Sequence, residues 1–352
     1  MCDILPKPMS LEKIDDELFR FECLSFSISD SINLKEEVIK NKFKSIPDLK
    51  IDFGEKSKTL IAMEIIVKRD LEYLKGDMAE YQKKESYLLT ITNNKVVINF
   101  VHDNGLLNAL STLKSLILKE DETFTLPHVK VYDFPNVEVR SISTTFAWYA
   151  GYSRIGFDSQ LWDFEKWKNF VDKCSDLKIN QLNLCMYGYW PFKFDKYPET
   201  TLSNIKMKIW SKENEGWIEI FYSHPNIVNE FLPSLIEYAN ERFIRIFAYI
   251  GLNSYNGGYA GTYRDRRSVP PSDEYINDFD SLCLSIKENV DYLKESVKKI
   301  AEIGFNGIIF EESEESQWYC SCSNCKEKYL DVSPSPAEAK HKANYKLLKE
   351  LC

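Results

Sequence analysis

Histidine and positive charge are both scarce in this chain of 352 residues. It has four histidines, and its 45 lysines and arginines are outweighed by 54 aspartates and glutamates, giving a formal net charge of −9. A nucleic-acid-binding surface needs clustered positive charge, so no nucleic-acid partner is expected. The densest basic group, Arg264, Arg266 and Arg267, is too short to support one.

Several sequence features that mark membrane, secreted and nucleotide-binding proteins are also missing. The sequence has no stretch of about 18 apolar residues, so neither a transmembrane helix nor a membrane partner is expected. It has no apolar segment after a basic start, so we expect no signal peptide and a cytoplasmic location. There is no P-loop and no dinucleotide-binding glycine motif, and four histidines give no support to a Ser-His-Asp triad.

Hydrophobic residues are plentiful, at 44% of the chain, and aromatic residues reach 14%. That is enough apolar material for a substantial core. Aromatic rings suit the flat apolar faces of sugars, but they fill protein cores equally well. The aromatic content alone is therefore only weak support for carbohydrate binding.

The first 135 residues alternate apolar runs with amphipathic stretches. A strand pair with a tight Asn93-Asn94 turn is followed by leucines at helical spacing, which favours a small α+β layer. The predicted strands are Phe19–Ile28, Ile61–Val67, Tyr87–Thr92 and Val96–Phe100, and the predicted helices are Leu34–Lys44 and Leu106–Leu118. Pro127 and Pro135 break both helix and sheet, so a boundary is expected near them.

Residues 136–352 alternate strands with helices four times, a pattern typical of a parallel sheet. The predicted strands are Val137–Ser143, Gln181–Tyr187, Ile244–Ile250 and Gly307–Phe310, and the predicted helices are Asp163–Leu177, Ile227–Arg242, Ser281–Ile303 and Pro336–Leu351. A complete (β/α) barrel takes eight strands and about 250 residues. We therefore expect a TIM-type barrel truncated after about four βα units. A native half-barrel, or an open four-stranded sheet completed by a partner, is the alternative.

Five segments of the chain are distinctive in their order and spacing: Ile4–Pro8, Ser86–Phe100, Asp103–Leu116, Val131–Pro135 and Lys178–Leu184. They resemble segments that occur in the same order in glycoside hydrolases of family 20, the group of the β-N-acetylhexosaminidases, and in the related α-glucuronidases. The resemblance implies an α+β pre-barrel domain over residues 1–135 and the N-terminal half of a catalytic barrel over residues 136–352. It also implies a hydrolase of O-glycosidic bonds that acts on a carbohydrate and requires no cofactor.

The chain departs from the hexosaminidase pattern at the fourth barrel strand. The family carries Gly-Gly-Asp-Glu there, whereas this chain reads Glu311-Glu312-Ser313-Glu314. In the family the Asp orients the acetamido group of the substrate, and Ser313 cannot replace that carboxylate. The Ser-Glu pair is more similar to the α-glucuronidases. A non-catalytic carbohydrate-binding or interaction protein, or an inactive fragment of a larger glycosidase, is the alternative function.

Carboxylates crowd the end of the predicted strand Gly307–Phe310, where Glu311, Glu312, Glu314 and Glu315 follow at once. Mutual repulsion should raise at least one pKa, as a general acid at neutral pH requires. By position and resemblance, Glu314 is the predicted general acid and Glu312 is the other catalytic candidate. A solvated acidic turn at a helix start is the alternative, and the base or nucleophile is not assigned.

Side chains near the predicted strand ends are the candidates for holding a sugar. Aromatic rings would stack on it, and polar or guanidinium groups would bond its hydroxyl or carboxylate groups. Packing in the core or in loops is the alternative for each. The predicted substrate-binding residues are Arg140, Trp148, Tyr187, Trp190, Asn253 and Tyr255.

The nine cysteines are mostly scattered and are expected to be free thiols. Cys320, Cys322 and Cys325 differ, because they form a C-x-C-x-x-C motif that suits a structural zinc ion. Such a site needs a fourth ligand, and the candidates are Cys352, His341 and Asp331. Reduced thiols without metal are the alternative. The partners expected are a carbohydrate substrate, together with a second copy of the chain or the remaining barrel half.

Overall fold

The computed structural model describes residues 4–28, 32–54, 61–74, 76–148, 154–269, 281–312 and 320–352. The chain forms two compact units. The first comprises Met1–Ser141, Lys168–Asn180 and Tyr238–Ile244, and the second comprises Ile142–Trp167, Gln181–Glu237 and Arg245–Cys352. The predicted domains, residues 1–135 and 136–352, stay a prediction.

The first unit is built on one mixed sheet with helices. Its strands are β1 (Ser10–Phe21), β2 (Cys23–Ser27), β3 (Lys50–Phe53), β4 (Ala62–Arg69), β5 (Tyr87–Thr92), β6 (Lys95–Phe100), β7 (Leu118–Glu120) and β8 (Thr123–Asp133). Its helices are α1 (Glu36–Phe43), α2 (Glu80–Glu85) and α3 (Asp103–Leu116). The strand order is β1-β8-β5-β6-β4-β2-β3, with β7 beside β8. The α+β character predicted for this region is confirmed.

Alternating burial explains why β5 and β6 form the centre of this sheet. Tyr87, Leu89 and Ile91 of β5 are fully buried, and the residues between them are partly exposed. Leucines at helical spacing along α3, including Leu110 and Leu113, pack into the same core. The hairpin was predicted from its Asn93-Asn94 turn, and the helix from its leucines at helical spacing.

Pro127 does not break the sheet, contrary to the prediction. It lies inside the eleven-residue strand β8, which pairs antiparallel with β1. The register of that pair shifts between Lys13 and Leu18, and Leu18 is the residue opposite Pro127. An irregularity of this kind accommodates a residue that has no backbone N–H to donate.

The remaining elements are arranged around a second sheet. The strands are β9 (Ser141–Trp148), β10 (Gln181–Tyr187), β11 (Ile205–Ser211), β12 (Gly216–Tyr222), β13 (Arg245–Gly251) and β14 (Gly307–Glu311). The helices are α4 (Phe164–Asp176), α5 (Pro225–Asn229), α6 (Leu232–Asn240), α7 (Gly257–Thr262), α8 (Lys287–Ile303), α9 (Ser323–Cys325) and α10 (Pro336–Leu351). Short 3-10 turns lie at Asp158–Leu161, Pro198–Thr200 and Arg264–Arg266, and a π-turn lies at Lys326–Leu330. Across the described ranges, every helix is too short or too polar to cross a lipid bilayer.

The second sheet has the order β14-β13-β10-β9, and β10, β13 and β14 are parallel. The predicted mixed α/β fold is thereby confirmed. Over the described residues the sheet is open, with β9 and β14 as its edges, and not closed into a barrel. Leu182, Leu184 and Met186 are buried on one face, whereas Cys185 and Tyr249 are only partly buried on the other.

Some predicted boundaries are wrong for local reasons. The helix predicted at Ile227–Arg242 is two helices, α5 and α6, separated by Glu230 in the left-handed region at φ 47°. The strand predicted from Val137 begins at Ser141, and the helix predicted from Ser281 begins at Lys287. The hairpin of β11 and β12 was not predicted.

A buried ion pair joins the chain after α4 to the sheet of the first unit. The Nζ atom of Lys178 donates to Asp133 Oδ2 at 2.7 Å and to the hydroxyl of Tyr87 at 2.9 Å. Tyr87 also donates to Asp133, and its hydroxyl lies 2.6 Å from that of Thr112. Burial lowers the pKa of Lys178, and the charge of Asp133 opposes that shift. The pair is thus held by several mutual hydrogen bonds.

The first prediction concerns this pair. Lys178→Met keeps the length of the side chain and removes its charge, which leaves the Asp133 carboxylate buried without its cation. Removing one partner of a buried pair costs about 3–5 kcal/mol of unfolding free energy. Urea unfolding followed by circular dichroism measures the change.

The matched control is Lys206→Met. The Lys206 side chain is 61% exposed and pairs with Glu219 across the β11–β12 hairpin, so its loss should cost no more than about 1 kcal/mol. Equal destabilisation by the two substitutions would contradict a special role for Lys178.

A second prediction concerns His224, which is fully buried in the second unit. Its Nδ1 accepts from the backbone N–H of Asn226, so its Nε2 carries the proton donated to the Phe146 carbonyl at 2.8 Å. Burial lowers the pKa of His224 to about 4. The unfolded chain therefore binds a proton at higher pH than the native chain does. We expect about 3 kcal/mol of stability to be lost as the pH falls from about 6.5 to 4.

The measurement is the unfolding free energy as a function of pH. His224→Gln should flatten the loss between pH 6.5 and 4. The control His341→Gln, at a side chain that is 71% exposed, should leave that loss in place. A wild-type profile with no decline in this range would refute the assignment.

Candidate functional site

The carboxyl ends of three parallel strands meet at one edge of the second sheet. In the register of β13 and β14, Gly251 pairs with Glu311, and in that of β10 and β13, Met186 pairs with Ile250. The last residues of these strands, Tyr187, Gly251 and Glu311, therefore lie along the same edge. In barrel enzymes this edge carries the reacting groups.

Aromatic side chains gather at this edge. The ring of Tyr187 stacks on Tyr255 with centroids 4.4 Å apart, and it meets Trp148 and Tyr249 edge-on at 6.3 Å and 5.9 Å. Phe157 stacks on Trp148 at 4.9 Å and is 42% exposed. We call these five residues the edge aromatic cluster. Three of them, Trp148, Tyr187 and Tyr255, were predicted to bind substrate, and the other two were missed.

Backbone hydrogen bonds fix the loops that hold the cluster. Gly188 N donates to Tyr255 O at 2.8 Å, and Gly258 N donates to Gly188 O at 2.9 Å. Tyr255 has a φ of 58°, a conformation that is rare for a bulky residue and that concentrates at functional sites. A Cβ on Gly251 would lie 2.1 Å from Ser254 O, so glycine is required there. Gly257 begins the helix α7, whose first four residues are buried.

Asn253 lies two residues beyond the end of β13 and is fully buried. Neither its amide nitrogen nor its amide oxygen has a hydrogen-bond partner within the described part of the chain, and the hydroxyl of Ser254 likewise has none there. A buried amide without partners costs free energy, so such a group in a native protein calls for an explanation. A polar ligand at this edge is one explanation.

The predicted catalytic carboxylates differ in their surroundings. Glu311 ends β14, and its negative charge adds to burial in raising the pKa of the Cys185 thiol to about 12. Glu312 is half-buried and lies 3.5 Å from Nδ1 of His341. Glu314 lies outside the described residues. The assignments of Glu312 and Glu314 stay predictions.

Two predicted binding residues are engaged by other groups. Arg140 precedes the amino end of β9, where its Nε donates to Lys178 O at 2.9 Å and its guanidinium also bonds Glu85. The indole of Trp190 donates to the hydroxyl of Tyr292 at 2.9 Å and is buried. These contacts give both residues structural partners, and their binding roles stay predictions.

The three motif cysteines lie together, and a fourth cysteine joins them. The Sγ atoms of Cys283, Cys320, Cys322 and Cys325 all lie within 4.8 Å of one another. The fourth member is thus Cys283, and not Cys352, His341 or Asp331. Cys283 was missed because a lone cysteine 39 residues before Cys322 carries no spacing signal.

The thiols of this cluster have pKa values shifted in opposite directions. Hydrogen bonds from Cys283 above all, and then from Cys320, lower the pKa of Cys325. Hydrogen bonding with Cys320 and Cys325 raises the pKa of Cys283. Neighbouring thiols that donate to one sulfur stabilise its thiolate form. The four side chains therefore behave as one hydrogen-bonded group of sulfur atoms.

No model of a known protein family matches the sequence. Solved structures do match it. A family 20 exo-β-N-acetylglucosaminidase from Vibrio harveyi, in complex with N-acetylglucosamine, aligns with a TM-score of 0.69 and 16% identity over 97% of this chain and 53% of its own. A β-N-acetylhexosaminidase from Bacteroides fragilis aligns with a TM-score of 0.66 and 16% identity over 99% of this chain and 63% of its own.

A family 20 β-N-acetylhexosaminidase from Streptomyces coelicolor gives a TM-score of 0.63 and 13% identity over 99% of this chain and 64% of its own. The similarity therefore spans almost the whole chain, while the chain spans less than two thirds of the length of these enzymes. At sequence identities this low, the structural alignments are evidence for a common fold and not for a common activity. The chain thus has the fold of β-N-acetylhexosaminidases of glycoside hydrolase family 20 over part of their length.

Proposed function

We propose that this chain is part of a glycoside hydrolase that binds a carbohydrate at the carboxyl edge of the second sheet. The observation that carries the proposal is the edge aromatic cluster, which lies beside the carboxylate-rich end of β14. Aromatic faces suit the apolar face of a sugar ring, and glycosidases need carboxyl groups next to the scissile bond. The fold shared with family 20 hydrolases supports the same assignment.

In this proposal Glu314 protonates the leaving oxygen as the general acid. Glu311 and Glu312 precede it closely in the sequence, and their negative charges would disfavour its ionised form. Asn253, whose buried amide has no partner among the described residues, would bond a sugar hydroxyl or an acetamido group. Chemistry of this kind uses carboxyl groups and requires no cofactor.

We further propose that additional protein covers the open sheet, either a second copy of the chain or the remaining part of a barrel. The edges β9 and β14 support this, because exposed sheet edges invite pairing. Eight cysteines among the described residues form no disulfide, which fits a reducing location such as the cytoplasm.

A non-catalytic carbohydrate-binding protein is the second candidate. The contacts that engage Arg140 and pair Glu312 with His341 favour it, since they occupy groups that an enzyme would use. A screen of the full-length protein against aryl N-acetylglucosaminide, glucoside, galactoside and glucuronide separates the two. Release of the aryl group from any of them identifies an enzyme, and saturable sugar binding without release identifies a binding protein.

The third prediction is that Glu314→Gln abolishes most turnover of the full-length enzyme on substrates with poor leaving groups. Loss of a general acid typically costs about 10²–10⁴-fold in rate. Activated aryl substrates need less protonation and should be affected less. Steady-state kinetics on both substrate types, with circular dichroism to verify folding, provide the measurement.

The matched control is Glu302→Gln, at a side chain that is 54% exposed near the end of α8 and outside the motif. It removes the same charge and should leave kcat/KM unchanged. Unchanged activity of Glu314→Gln, or an equal loss on both leaving groups, would refute the assignment of Glu314.

A fourth prediction tests the sugar-stacking role of Trp148, whose ring is only partly buried. Trp148→Ala should raise KM, or Kd for a bound sugar, about tenfold, which corresponds to ~1.4 kcal/mol. Trp210→Ala is the control, because Trp210 is 51% exposed on the β11–β12 hairpin. An equal effect of the two substitutions would indicate a general loss of stability and would contradict a specific contact.

A further inference from the structure

Four cysteines from two distant parts of the chain converge in the second unit. Cys283 lies in the segment before α8, and Cys320, Cys322 and Cys325 lie in the segment that leads to α10. The Sγ atom of Cys283 is 3.7 Å from that of Cys322 and 3.6 Å from that of Cys325. All four Sγ atoms lie within 4.8 Å of one another.

These separations match a metal-centred tetrahedron. A zinc ion bound by four sulfur atoms at about 2.3 Å places those sulfur atoms about 3.8 Å apart. A disulfide would instead bring two sulfur atoms to about 2.05 Å. None of these four described cysteines forms a disulfide. The distances of 3.6 Å and 3.7 Å are too long for a disulfide and agree with the spacing of sulfur ligands around one ion.

The chemistry of the group selects the type of ion. Its members are four sulfur atoms with no carboxylate or imidazole among them, a soft set that favours zinc over magnesium or calcium. Cys320 and Cys325 are fully buried and Cys283 is 3% exposed. Four protein ligands leave no position for water or substrate, which is the arrangement of a structural zinc site and not of a catalytic one.

Hydrogen-bond donors point at these sulfur atoms. Val269 N donates to Cys320 Sγ at 3.4 Å, and Cys325 N donates to Cys322 Sγ at 3.4 Å. The hydroxyl of Ser285 lies 2.9 Å from Cys325 Sγ. Donors of this kind stabilise the negative charge of metal-bound thiolates and orient them.

We propose that Cys283, Cys320, Cys322 and Cys325 bind one zinc ion as a structural four-thiolate site. The ion takes the place of the four thiol protons and cross-links the segment before α8 to the segment before α10. Because Cys320 is only six residues after Glu314 in the sequence, the site also fixes the chain shortly beyond that residue. The proposal does not rest on glycosidase activity, since metal content is measured without any substrate.

The test measures zinc in the full chain, purified under reducing conditions without chelators. We expect one zinc per chain, released together with titration of four thiols by a mercurial reagent. Zinc-free reduced protein should also bind cobalt(II) and acquire the visible absorption bands of tetrahedral cobalt–thiolate coordination. The zinc and cobalt measurements use the wild-type chain, so their outcome does not depend on whether a substituted chain folds.

Variants then identify the fourth ligand. Cys283→Ser should lower zinc affinity at least 100-fold, while Cys352→Ser, at an exposed cysteine outside the cluster, should retain one zinc per chain. The proposal is overturned if neither zinc nor cobalt binds the reduced protein, if iron occupies the site in its place, or if Cys283→Ser retains wild-type affinity.

Discussion

The ammonium group of Lys178 is buried against the carboxylate of Asp133, and the first unit is organised around this contact. Lys178 has a φ of 58°, in the left-handed region, two residues after the end of α4, and its side chain reaches Asp133 at the end of β8. Tyr87 and Thr112 complete the hydrogen bonds from β5 and α3. Buried charge is tolerated only when it is paired in this way, so these elements must assemble together.

The edge aromatic cluster depends on a similar constraint in the backbone of the second unit. Tyr255 is held in an unfavourable conformation by the hydrogen bond that Gly188 N donates to its carbonyl, and its ring stacks on Tyr187. Strain of this kind persists only where the surroundings impose it, and it is concentrated at ligand sites. The unpartnered amide of Asn253 lies two residues earlier in the chain. These features are the reason for proposing the carboxyl edge of the sheet as the sugar-binding site.

The four-cysteine group would stabilise the second unit through a metal cross-link, and not through a buried ion pair or aromatic packing. A metal ion bound by Cys283 and the three motif cysteines would join the segment before α8 to the segment before α10. The free energy of binding that ion would then add to the stability of the fold.

Periodicity alone was sufficient to predict β10 at Gln181–Tyr187 and α10 at Pro336–Leu351, because alternation and helical spacing are local properties of the sequence. The acidic end of β14 and the cysteine motif were recognised for the same reason. The tertiary structure alone decided that Pro127 lies within a strand, that Arg140 bonds Glu85, and that Cys283 completes the sulfur cluster. Each of these depends on residues far apart in the chain, whose meeting is set by packing and not by local pattern.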